Sequence, residues 1–358
     1  MILHLNNAKT WRGGEQQLYY LIMGLAERKI PQLLICQPNS ELEKRIDNQI
    51  PVNSISMLGE YDIFAAKKIA KIIKSNNVKL IHTHTGAAHG LGILTKLYAP
   101  NVKLVVSRRV DFHINTNPLS KRKYYSNKID YFLTVSNRIK EVLIEDGINP
   151  EKVITVYSGI DLKKFETSGN KENLINEFDI KKDTVVIGNI AALVDHKDQE
   201  TLLRAIPYIQ SEKDFRFFLV GAGELETKLK NLAKELKIED KVTFTGFRND
   251  IIDFYSLLDI FTLTSKEEGL GTSVLDAMAN SLPIVATNGG GIGEMLQDQK
   301  GSLLANVGDY MKLAENYSTL INNPSLRKEY GNKNKELVKA FSIENTIQKT
   351  IQVYNSLL

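Results

Sequence analysis

Two acidic side chains, Glu268 and Asp276, bracket a glycine-containing turn in the second half of the chain. The run before them, residues 259–264, is short, apolar and β-branched, which is typical of a strand buried in a parallel sheet. A helical pattern follows, and Ser273 is expected to cap that helix. The free N–H groups at the start of such a helix face an anion. The segment therefore predicts an anion site with a carboxylate on each side, and such carboxylates suit the hydroxyls of a sugar or a ribose.

Length and composition describe an ordinary globular chain. Its 358 residues, of which 42% are hydrophobic and 25% charged, are enough for two cores. The apolar runs are far shorter than the roughly 20 residues of a membrane span. The first residues show a strand pattern without the features of a secretory signal. Cys36 is the only cysteine, which excludes an intramolecular disulfide and a cysteine-based metal site. We therefore expect a protein of the reducing cytoplasm.

The charge is distributed unevenly. Residues 1–165 contain 24 Lys and Arg against 14 Asp and Glu, a net charge of +10, and the remainder contains 22 against 28, a net charge of −6. A basic half attracts anionic lipid, a phosphorylated acceptor or nucleic acid, and the alternative is a solvated surface. Of these partners we expect no nucleic acid. The predicted helix over residues 62–76 carries Lys67, Lys68, Lys71 and Lys74 beside isoleucines, which favours a peripheral position on an anionic membrane surface.

Strand-like and helix-like segments alternate along the whole chain, which predicts an α/β protein with mostly parallel sheets. The predicted strands are 2–5, 32–36, 80–84, 103–107, 131–135, 153–156, 185–190, 215–220, 242–244, 260–263 and 283–286. The predicted helices of the first half are 15–29, 62–76, 90–98 and 138–146. Because the pattern restarts, we expect two doubly wound domains, 1–165 and 166–342, with a ligand cleft at their carboxyl strand ends. The polar stretch 166–171 is the expected linker, and the amphipathic run 343–358 is expected to pack on the first domain.

Several motifs together resemble family 4 glycosyltransferases of the GT-B fold. The family's signature is a Glu, seven residues and a second Glu; here Glu268 and Asp276 have that spacing, with Asp in the second place. The other matching segments are Trp-Arg-Gly-Gly-Glu at 11–15, Val-Tyr-Ser-Gly-Ile-Asp at 156–161, Leu-Val-Gly-Ala-Gly-Glu at 219–224 and the glycine-rich run at 283–294. The resemblance covers nearly the whole chain and is strongest from Asp183 to Glu294.

The resemblance implies two Rossmann-like domains that face a central cleft, the first for the acceptor and the second for a nucleotide sugar. It implies a retaining transfer of a sugar from a nucleotide-diphosphate sugar to a hydroxyl, in lipopolysaccharide, capsule or other surface glycan synthesis. The acceptor would be a glycan or a lipid-linked intermediate. We expect no cofactor and no metal, since no Asp-x-Asp triplet appears at a strand end.

The resemblance also assigns residues to roles. Lys197 would bind the diphosphate, Glu268 the sugar hydroxyls and Asp276 the ribose. The expected catalytic residues are Glu268, Lys197, Arg109 and His84. The expected donor-binding residues are Gly13, Gly14, Lys197, His196, Gly223, Phe247, Glu268, Gly269, Leu270, Gly271, Thr272, Ser273 and Asp276. The alternatives are a solvated loop lysine for Lys197, a helix-favouring acid for Asp276 and an ordinary turn for the two first-half glycines.

One departure from the family pattern concerns positive charge. Members commonly carry an Arg about five residues before the diphosphate-binding Lys, where this sequence has Ala192. His196 or Arg109 would supply the missing cation. Arg109 stands near the position where many relatives have a His, which suggests a clamp for phosphate or an acidic acceptor; the alternative is a plain surface pair. Phe247 belongs to the loop near the base, which is compatible with uracil, guanine or adenine.

Three histidines, His82, His84 and His89, surround the end of one predicted strand. A metal site is not expected, because no carboxylate or cysteine is near and His82 and His84 have no third ligand on their strand face. We expect these side chains to line the acceptor pocket or to be packed in the core.

Two other functions remain as alternatives. A sugar-nucleotide epimerase shares the architecture but needs acid–base residues at the sugar carbon, and no convincing pair is present. A non-catalytic sugar-nucleotide binder is compatible with Ala192 and Asp276. An NAD enzyme is disfavoured, because the first strand is not followed by the spaced glycines that a dinucleotide needs.

Overall fold

The computed structural model describes residues 1–46, 48–114, 117–167 and 169–358. The strands are β1 Ile2–Leu5, β2 Gln32–Cys36, β3 Val52–Ser54, β4 Leu80–Thr83, β5 Lys103–Arg108, β6 Tyr131–Thr134, β7 Val153–Thr155, β8 Val185–Ile190, β9 Phe215–Val220, β10 Val242–Gly246, β11 Ile260–Leu263, β12 Ile284–Thr287 and β13 Ser302–Ala305.

The helices are α1 Gly13–Glu27, α2 Glu41–Ile46, α3 Ile63–Ser75, α4 Gly86–Lys96, α5 Pro118–Tyr124, α6 Asn137–Glu145, α7 Lys171–Glu177, α8 Gln199–Ala205, α9 Glu226–Glu235, α10 Ile251–Leu257, α11 Thr272–Ala279, α12 Ile292–Met295, α13 Tyr310–Asn322, α14 Pro324–Leu337 and α15 Ile343–Leu357. Within the described ranges, none of them combines the length and the apolar character that crossing a membrane would require.

The chain forms two compact units, Met1–Gly159 with Ile343–Leu358, and Ile160–Ser342. The division lies at Gly159 and Ile160, whereas the sequence placed it after residue 165. The difference arises because Ile160 bridges to Ser342, and Phe165 packs edge-on against Tyr255, with ring centroids 6.2 Å apart. Residues 160–165 therefore belong to the second unit.

The stretch expected as a linker, residues 166–171, packs within the second unit wherever the structure describes it; Ser168 lies outside the described residues. The Gly169 N–H donates to Ser256 Oγ at 2.7 Å, and the Asn170 N–H donates to Asp253 Oδ1 at 2.7 Å. Both acceptors lie on α10. Polar composition alone does not distinguish such a capping segment from a linker.

The first unit is built on a seven-stranded parallel sheet of order β3-β2-β1-β4-β5-β6-β7. Successive side chains of each strand face opposite sides. Leu3 and Leu5 pack with α3 and α4 on one side. Ile2 and Leu80 pack with α1 and with Ile347 of α15 on the other. The C-terminal helix is thus one of the layers that cover this sheet, as the sequence predicts.

The second unit has a six-stranded parallel sheet of order β10-β9-β8-β11-β12-β13. Its central strands β8, β9, β11 and β12 are almost entirely buried, since helices cover both sides of the sheet. One core joins Ile187 and Phe217 of the sheet to Leu202 of α8 and Tyr317 of α13. The prediction of two doubly wound α/β sheets is confirmed.

The sequence pattern does not predict the short or edge elements β3, β13, α2, α5, α7 and α12, and it does not predict the two longer helices α13 and α14. Only three residues make up β3, and two of them, Asn53 and Ser54, are polar. Such a segment carries no apolar run, and its pairing with β2 is decided by the neighbouring strand.

Candidate functional site

Both sheets bring their first strand to the centre. In the second unit β8 lies between β9 and β11. The chain therefore adds β9 and β10 on one side of β8 and then β11, β12 and β13 on the other side. The first unit does the same around β1, which lies between β2 and β4. At the point where the strand order reverses, the loops that follow the central strand and its neighbour lead in opposite directions. They leave a crevice at the carboxyl ends of the strands, where doubly wound sheets bind ligands. Each unit therefore has one expected ligand position.

In the second unit this position holds Lys197 and Glu268. Lys197, beyond β8, donates from Nζ to Oε2 of Glu268, which follows β11. Ser265 Oγ donates to the same carboxylate oxygen at 3.3 Å. The two paired side chains are only 16% and 15% exposed. The alternative of a solvated loop lysine is therefore wrong, and the structure brings together the cation and the carboxylate that the sequence singled out.

The loop that carries Lys197 is braced against the end of β11. Thr264 Oγ1 donates to the carbonyl oxygens of Lys197 and Asp198, at 3.2 and 2.9 Å. The Lys266 N–H donates to the His196 carbonyl at 2.8 Å. The side chain of His196 is exposed. These bonds hold the backbone of Lys197 in place, so its side chain extends into the site from a fixed position.

The glycine turn after Glu268 has the backbone geometry that the sequence suggests. Gly271 has φ +85°, a left-handed conformation that favours glycine, and α11 begins at the next residue, Thr272. The expected cap is wrong: Ser273 lies inside the helix, and Gly271 is the N-cap without a side-chain bond. Leu270, only 3% exposed, anchors the turn in the core.

The loop after β12 also reaches this site. A Cβ on Gly289 would lie 2.1 Å from the Ser265 carbonyl oxygen, so the two backbones touch. Thr287 Oγ1 donates to the same carbonyl at 2.8 Å, and the Gly291 N–H donates to the Glu268 carbonyl at 2.7 Å. The sequence identifies this glycine-rich run as a motif but does not predict which residues it contacts.

Asp276 lies one turn into α11 and is partly buried. Burial raises the pKa of its carboxyl to about 7, and the nearby Lys164 opposes the rise. The neighbouring Tyr255 donates its hydroxyl to the Ser273 carbonyl at 3.1 Å. A carboxyl in this setting is not the ordinary exposed acid of a helix start.

Two other expected donor residues lie after β9 and β10. A Cβ on Gly223 would lie 2.2 Å from the Leu193 carbonyl oxygen, so this glycine packs on the loop that leads to Lys197. Phe247 follows Gly246, which has φ +69°, and its ring is 75% exposed. The structure thus joins Gly223 to the site and leaves Phe247 as a projecting ring two strands away from β8.

In the first unit, Gly13 and Gly14 form the first residues of α1 rather than a separate turn. A Cβ on Gly14 would lie 3.5 Å from Cδ of Arg109, which follows β5. Arg109 Nη1 donates to Ser158 Oγ at 3.4 Å. Burial lowers the pKa of Arg109 to about 10, and Glu15 opposes that effect. Arg109 is therefore not a surface residue of the kind the alternative describes, and it lies beside Gly14.

The structure adds His4, which the sequence did not single out. His4 and His82 are register partners on β1 and β4, so His4, His82 and His84 meet on the sheet face under α1 and α15. The expectation that His82 and His84 share a face without a third ligand is wrong, because His4 of the neighbouring strand lies beside them. The alternation along β1 places His4 on the face of Ile2, but its contact with the other two histidines depends on β1 and β4 being neighbours, which the sequence alone does not predict.

Hydrogen bonds define the tautomers of this cluster. Gln32 Nε2 donates to the Ile22 carbonyl at 2.8 Å, so Gln32 Oε1 accepts from His4 Nε2 at 3.1 Å. His4 Nδ1 then carries the lone pair and accepts from His84 Nε2 at 3.1 Å. His84 Nδ1 is left with a buried lone pair, and among the described residues it has no partner.

His82 bonds to Tyr354 of α15 at 2.5 Å and to Ser107 at 2.8 Å. His4, His82 and His84 can each offer one ring nitrogen such that these three atoms lie within 4.8 Å of one another, as the ligands of a metal would. Burial holds the pKa of each imidazole below its usual value, so all three are neutral at physiological pH. Hydrogen bonds account for five of the six ring nitrogens.

His89 is packed in the core, one of the two outcomes expected for the histidines. Its ring contacts Tyr124 and Phe132 edge-on, with centroids 5.0 and 5.9 Å apart. Burial lowers the pKa of His89 to about 3.

Comparison with known proteins agrees with this geometry. Residues 11–164 match the family model described as Glycosyltransferase Family 4, and residues 170–337 match the model described as Glycosyl transferases group 1. An uncharacterized glycosyltransferase of Methanocaldococcus jannaschii is 32% identical over 82% of this chain and 80% of its own length.

A UDP-Gal:alpha-D-GlcNAc-diphosphoundecaprenol alpha-1,3-galactosyltransferase of Escherichia coli is 23% identical over 90% of this chain and 88% of its own length. The crystal structure of HepE from Anabaena in complex with UDP-glucose superposes with a TM-score of 0.85, at 21% identity, over 99% of each chain. The chain therefore belongs to glycosyltransferase family 4, the group 1 glycosyltransferases, and has the GT-B fold.

Proposed function

We propose that this glycosyltransferase moves a sugar from a UDP-sugar to a hydroxyl of a lipid-linked glycan intermediate, with retention of configuration, at the inner face of the membrane during surface glycan synthesis. The similar Escherichia coli enzyme is named for a UDP-galactose donor and a diphosphoundecaprenol-linked acceptor. The similar Anabaena protein binds UDP-glucose in its crystal. Both support the choice of donor, and the first supports the choice of acceptor.

The observation that carries the proposal is the pairing of Lys197 with Glu268 at the switch point of the second sheet. The bond from the sugar to the diphosphate breaks in the reaction, and negative charge grows on the departing oxygen. A cation held next to that oxygen when the donor is bound stabilises the transition state more than the ground state. When the donor enters, Lys197 turns to the diphosphate and Glu268 accepts hydrogen bonds from sugar hydroxyls.

The start of α11 holds the rest of the donor. Gly269, Gly271, Thr272 and Ser273 bring backbone N–H groups to the phosphates, because the first turn of a helix has unpaired donors. Asp276 accepts from the ribose hydroxyls, for which its carboxyl must be ionised. Because burial raises the pKa of this carboxyl to about 7, it changes between its neutral and ionised forms near physiological pH.

The first unit receives the acceptor. Arg109 lies beside Gly14 and lines the same small cavity as the buried His82, and its guanidinium suits a phosphate of a lipid-linked intermediate. The lone pair on His84 Nδ1 is the one buried acceptor left open in the cluster of His4, His82 and His84, among the described residues. The new bond forms between the acceptor oxygen and the anomeric carbon, and the acceptor proton passes to an oxygen of the departing diphosphate.

The proposal is tested by the release of UDP from a panel of UDP-sugars. Lys197→Met and Glu268→Gln should each lower kcat at least about 100-fold, as the loss of one electrostatic group does at other sites. Lys228→Met is the matched control, because this lysine is 65% exposed and pairs only on the surface with Glu200. A chelator should leave the wild-type rate unchanged, since the residues supply the positive charge.

Two results would contradict the proposal. Tight binding of a UDP-sugar without turnover, in the presence or absence of candidate acceptors, would identify a non-catalytic binder. Equal rates for wild type and Lys197→Met would show that Lys197 does not stabilise the diphosphate.

A further inference from the structure

Large apolar side chains project into solvent from one part of the first unit. Leu58 is 91% exposed and Phe64 is 79% exposed. Leu97 and Leu119 are each more than half exposed. They belong to the loop before α3, the start of α3, the end of α4 and α5. A group of exposed apolar side chains of this kind marks a binding surface.

Contacts hold these segments together as one surface. Lys123 of α5 donates to Glu60 in the loop before α3, at 2.6 Å. A Cβ on Gly90 of α4 would lie 2.6 Å from the Glu60 Cβ, so loop and helix are in close contact. Lys67 of α3 lies over the ring of Tyr98, 5.6 Å from its centroid. We call this surface the α3–α5 face; it consists of residues 58–74, 93–98 and 118–128.

The α3–α5 face contains an apolar groove with a basic rim. Its apolar lining is formed by Tyr61, Ile93, Leu94, Leu97 and Leu119. Its basic lining is formed by Arg122, Lys123 and Lys128. Apolar walls beneath a rim of cations are complementary to a molecule with an anionic head and an apolar tail.

The positive charge around the groove extends along α3. The side chains of Lys67, Lys68, Lys71 and Lys74 are all exposed. Among the described residues, Lys67, Lys71 and Arg122 form no ion pair. Uncompensated lysines of this kind attract the anionic lipids of a membrane, each with about 1 kcal/mol near the surface.

We propose that the α3–α5 face docks on an anionic phospholipid bilayer, with Leu58 and Phe64 inserted among the headgroups and a lipid chain in the groove. The proposal deepens the proposed function, since a lipid-linked acceptor is presented at such a bilayer. A protein partner would be expected to cover the apolar groove and offer carboxylates to a few cations. Here the cations spread over α3 and α5 around projecting apolar side chains, the distribution that suits a planar anionic surface.

The test is flotation of the full chain with vesicles, without donor or acceptor. We expect binding to vesicles that contain phosphatidylglycerol, little binding to pure phosphatidylcholine, and a loss of binding at high salt. Leu58→Ser with Phe64→Ser should weaken binding at least about tenfold, because both side chains lose apolar contact with the bilayer. Lys67→Gln with Lys71→Gln should weaken it roughly fivefold per lysine.

The matched controls lie in the second unit. Met311→Ser removes an apolar side chain that is 52% exposed, and Lys333→Gln with Lys335→Gln removes two exposed lysines. These variants should bind vesicles as wild type does. All variants should keep the thermal unfolding temperature of wild type, since the substituted side chains are exposed.

The outcomes separate this proposal from the proposed function. Equal vesicle binding by wild type and the face variants, or no binding to anionic vesicles, overturns the docking proposal even if UDP release is normal. Vesicle binding without any UDP release supports docking and overturns the proposed function. A concentration-dependent dimer in the absence of lipid, abolished by Phe64→Ser, would assign the face to self-association and overturn docking.

Discussion

At the scale of the residue, Asp276 shows how a protein environment changes a side chain. The chemistry assigned to it needs a carboxylate, yet its partial burial in α11 favours the neutral acid and raises its pKa to about 7. Asp is one methylene shorter than the Glu usual in the family at this place. The shorter side chain keeps the carboxyl closer to the helix and its buried surroundings, among them Tyr255, whose own pKa is raised by burial and, in addition, by the Asp276 charge.

A pH dependence of stability follows from that pKa. The folded state holds a proton on Asp276 between about pH 4 and pH 7, where the unfolded chain has released it. The free energy of unfolding therefore falls as pH rises through this range, by at most about 1.4 kcal/mol per pH unit from this group. Asp276→Asn should remove that slope, and denaturant unfolding of both proteins across the range measures it.

The control for this prediction is Asp240→Asn, which changes an exposed aspartate. It should leave the pH profile of wild type unchanged. If the Asp276→Asn profile runs parallel to that of wild type, the carboxyl is not held in its neutral form.

The buried histidines show a different residue-scale effect. Three neutral imidazoles remain in the core because Gln32, Ser107 and Tyr354 supply hydrogen bonds that replace those of water. The chain of bonds from Gln32 determines which nitrogen of His84 carries the lone pair. A side chain two strands away thus sets the chemistry of a proposed acceptor-site group.

At the scale of the element, the site of the second unit depends on how closely two strand ends approach. The loops after β11 and β12 touch at Gly289, which leaves no space for a Cβ against the Ser265 carbonyl. Ser265 and Glu268 take their positions from this contact. A glycine is thus required there by packing and not by its own backbone angles.

Gly289→Ala should push the two loops apart. We expect a loss of about 1–3 kcal/mol of stability, as for other overpacked sites, together with weaker binding of UDP. Thermal unfolding and calorimetric titration with UDP measure the two effects. Gly86→Ala is the matched control, because a Cβ there meets nothing within 4 Å and the residue lies in the first turn of α4. Identical UDP affinity in wild type and Gly289→Ala would show that the contact does not position the site.

At the scale of the whole molecule, the C-terminal helix completes the first unit. The chain leaves that unit at Gly159, builds the second unit and returns as α15. Ile347 and Tyr354 of α15 cover the sheet face that carries Ile2 and Leu80. Without α15, this apolar face and the histidines beside it would be open to water.

Two substitutions in α15 separate burial from surface charge. Ile347→Ala should cost about 2–5 kcal/mol, because a buried side chain leaves a cavity. Glu344→Gln should cost less than about 1 kcal/mol, although it breaks the pair with Arg28, because that pair lies at the surface. Denaturant unfolding of both variants gives the comparison. A larger effect for Glu344→Gln would mean that charge, not apolar contact, attaches the helix.

The fold class followed from local pattern, because buried parallel strands and amphipathic helices each carry a strong periodic signal. The bounds of β1, β2, β8, β9 and β11 agree with the prediction to the residue. The short edge strand β3 had no such signal, since pairing with β2 stabilises it. The placement of Glu268, Lys197, Gly271 and Arg109 after parallel strands, where a ligand can bind, could also be predicted, whereas their roles rest on the family resemblance and stay predictions.

The sequence by itself determined which residues could act, and the tertiary structure alone decided which of them meet. Lys197 and Glu268 are 71 residues apart and come together because β8 and β11 are neighbours. His4 joins His84, 80 residues away, for the same reason in the other sheet. The division of the chain at Gly159 and the burial of Asp276 also could not be predicted from the sequence. Contacts between distant segments depend on the order of strands in a sheet, which no local pattern encodes.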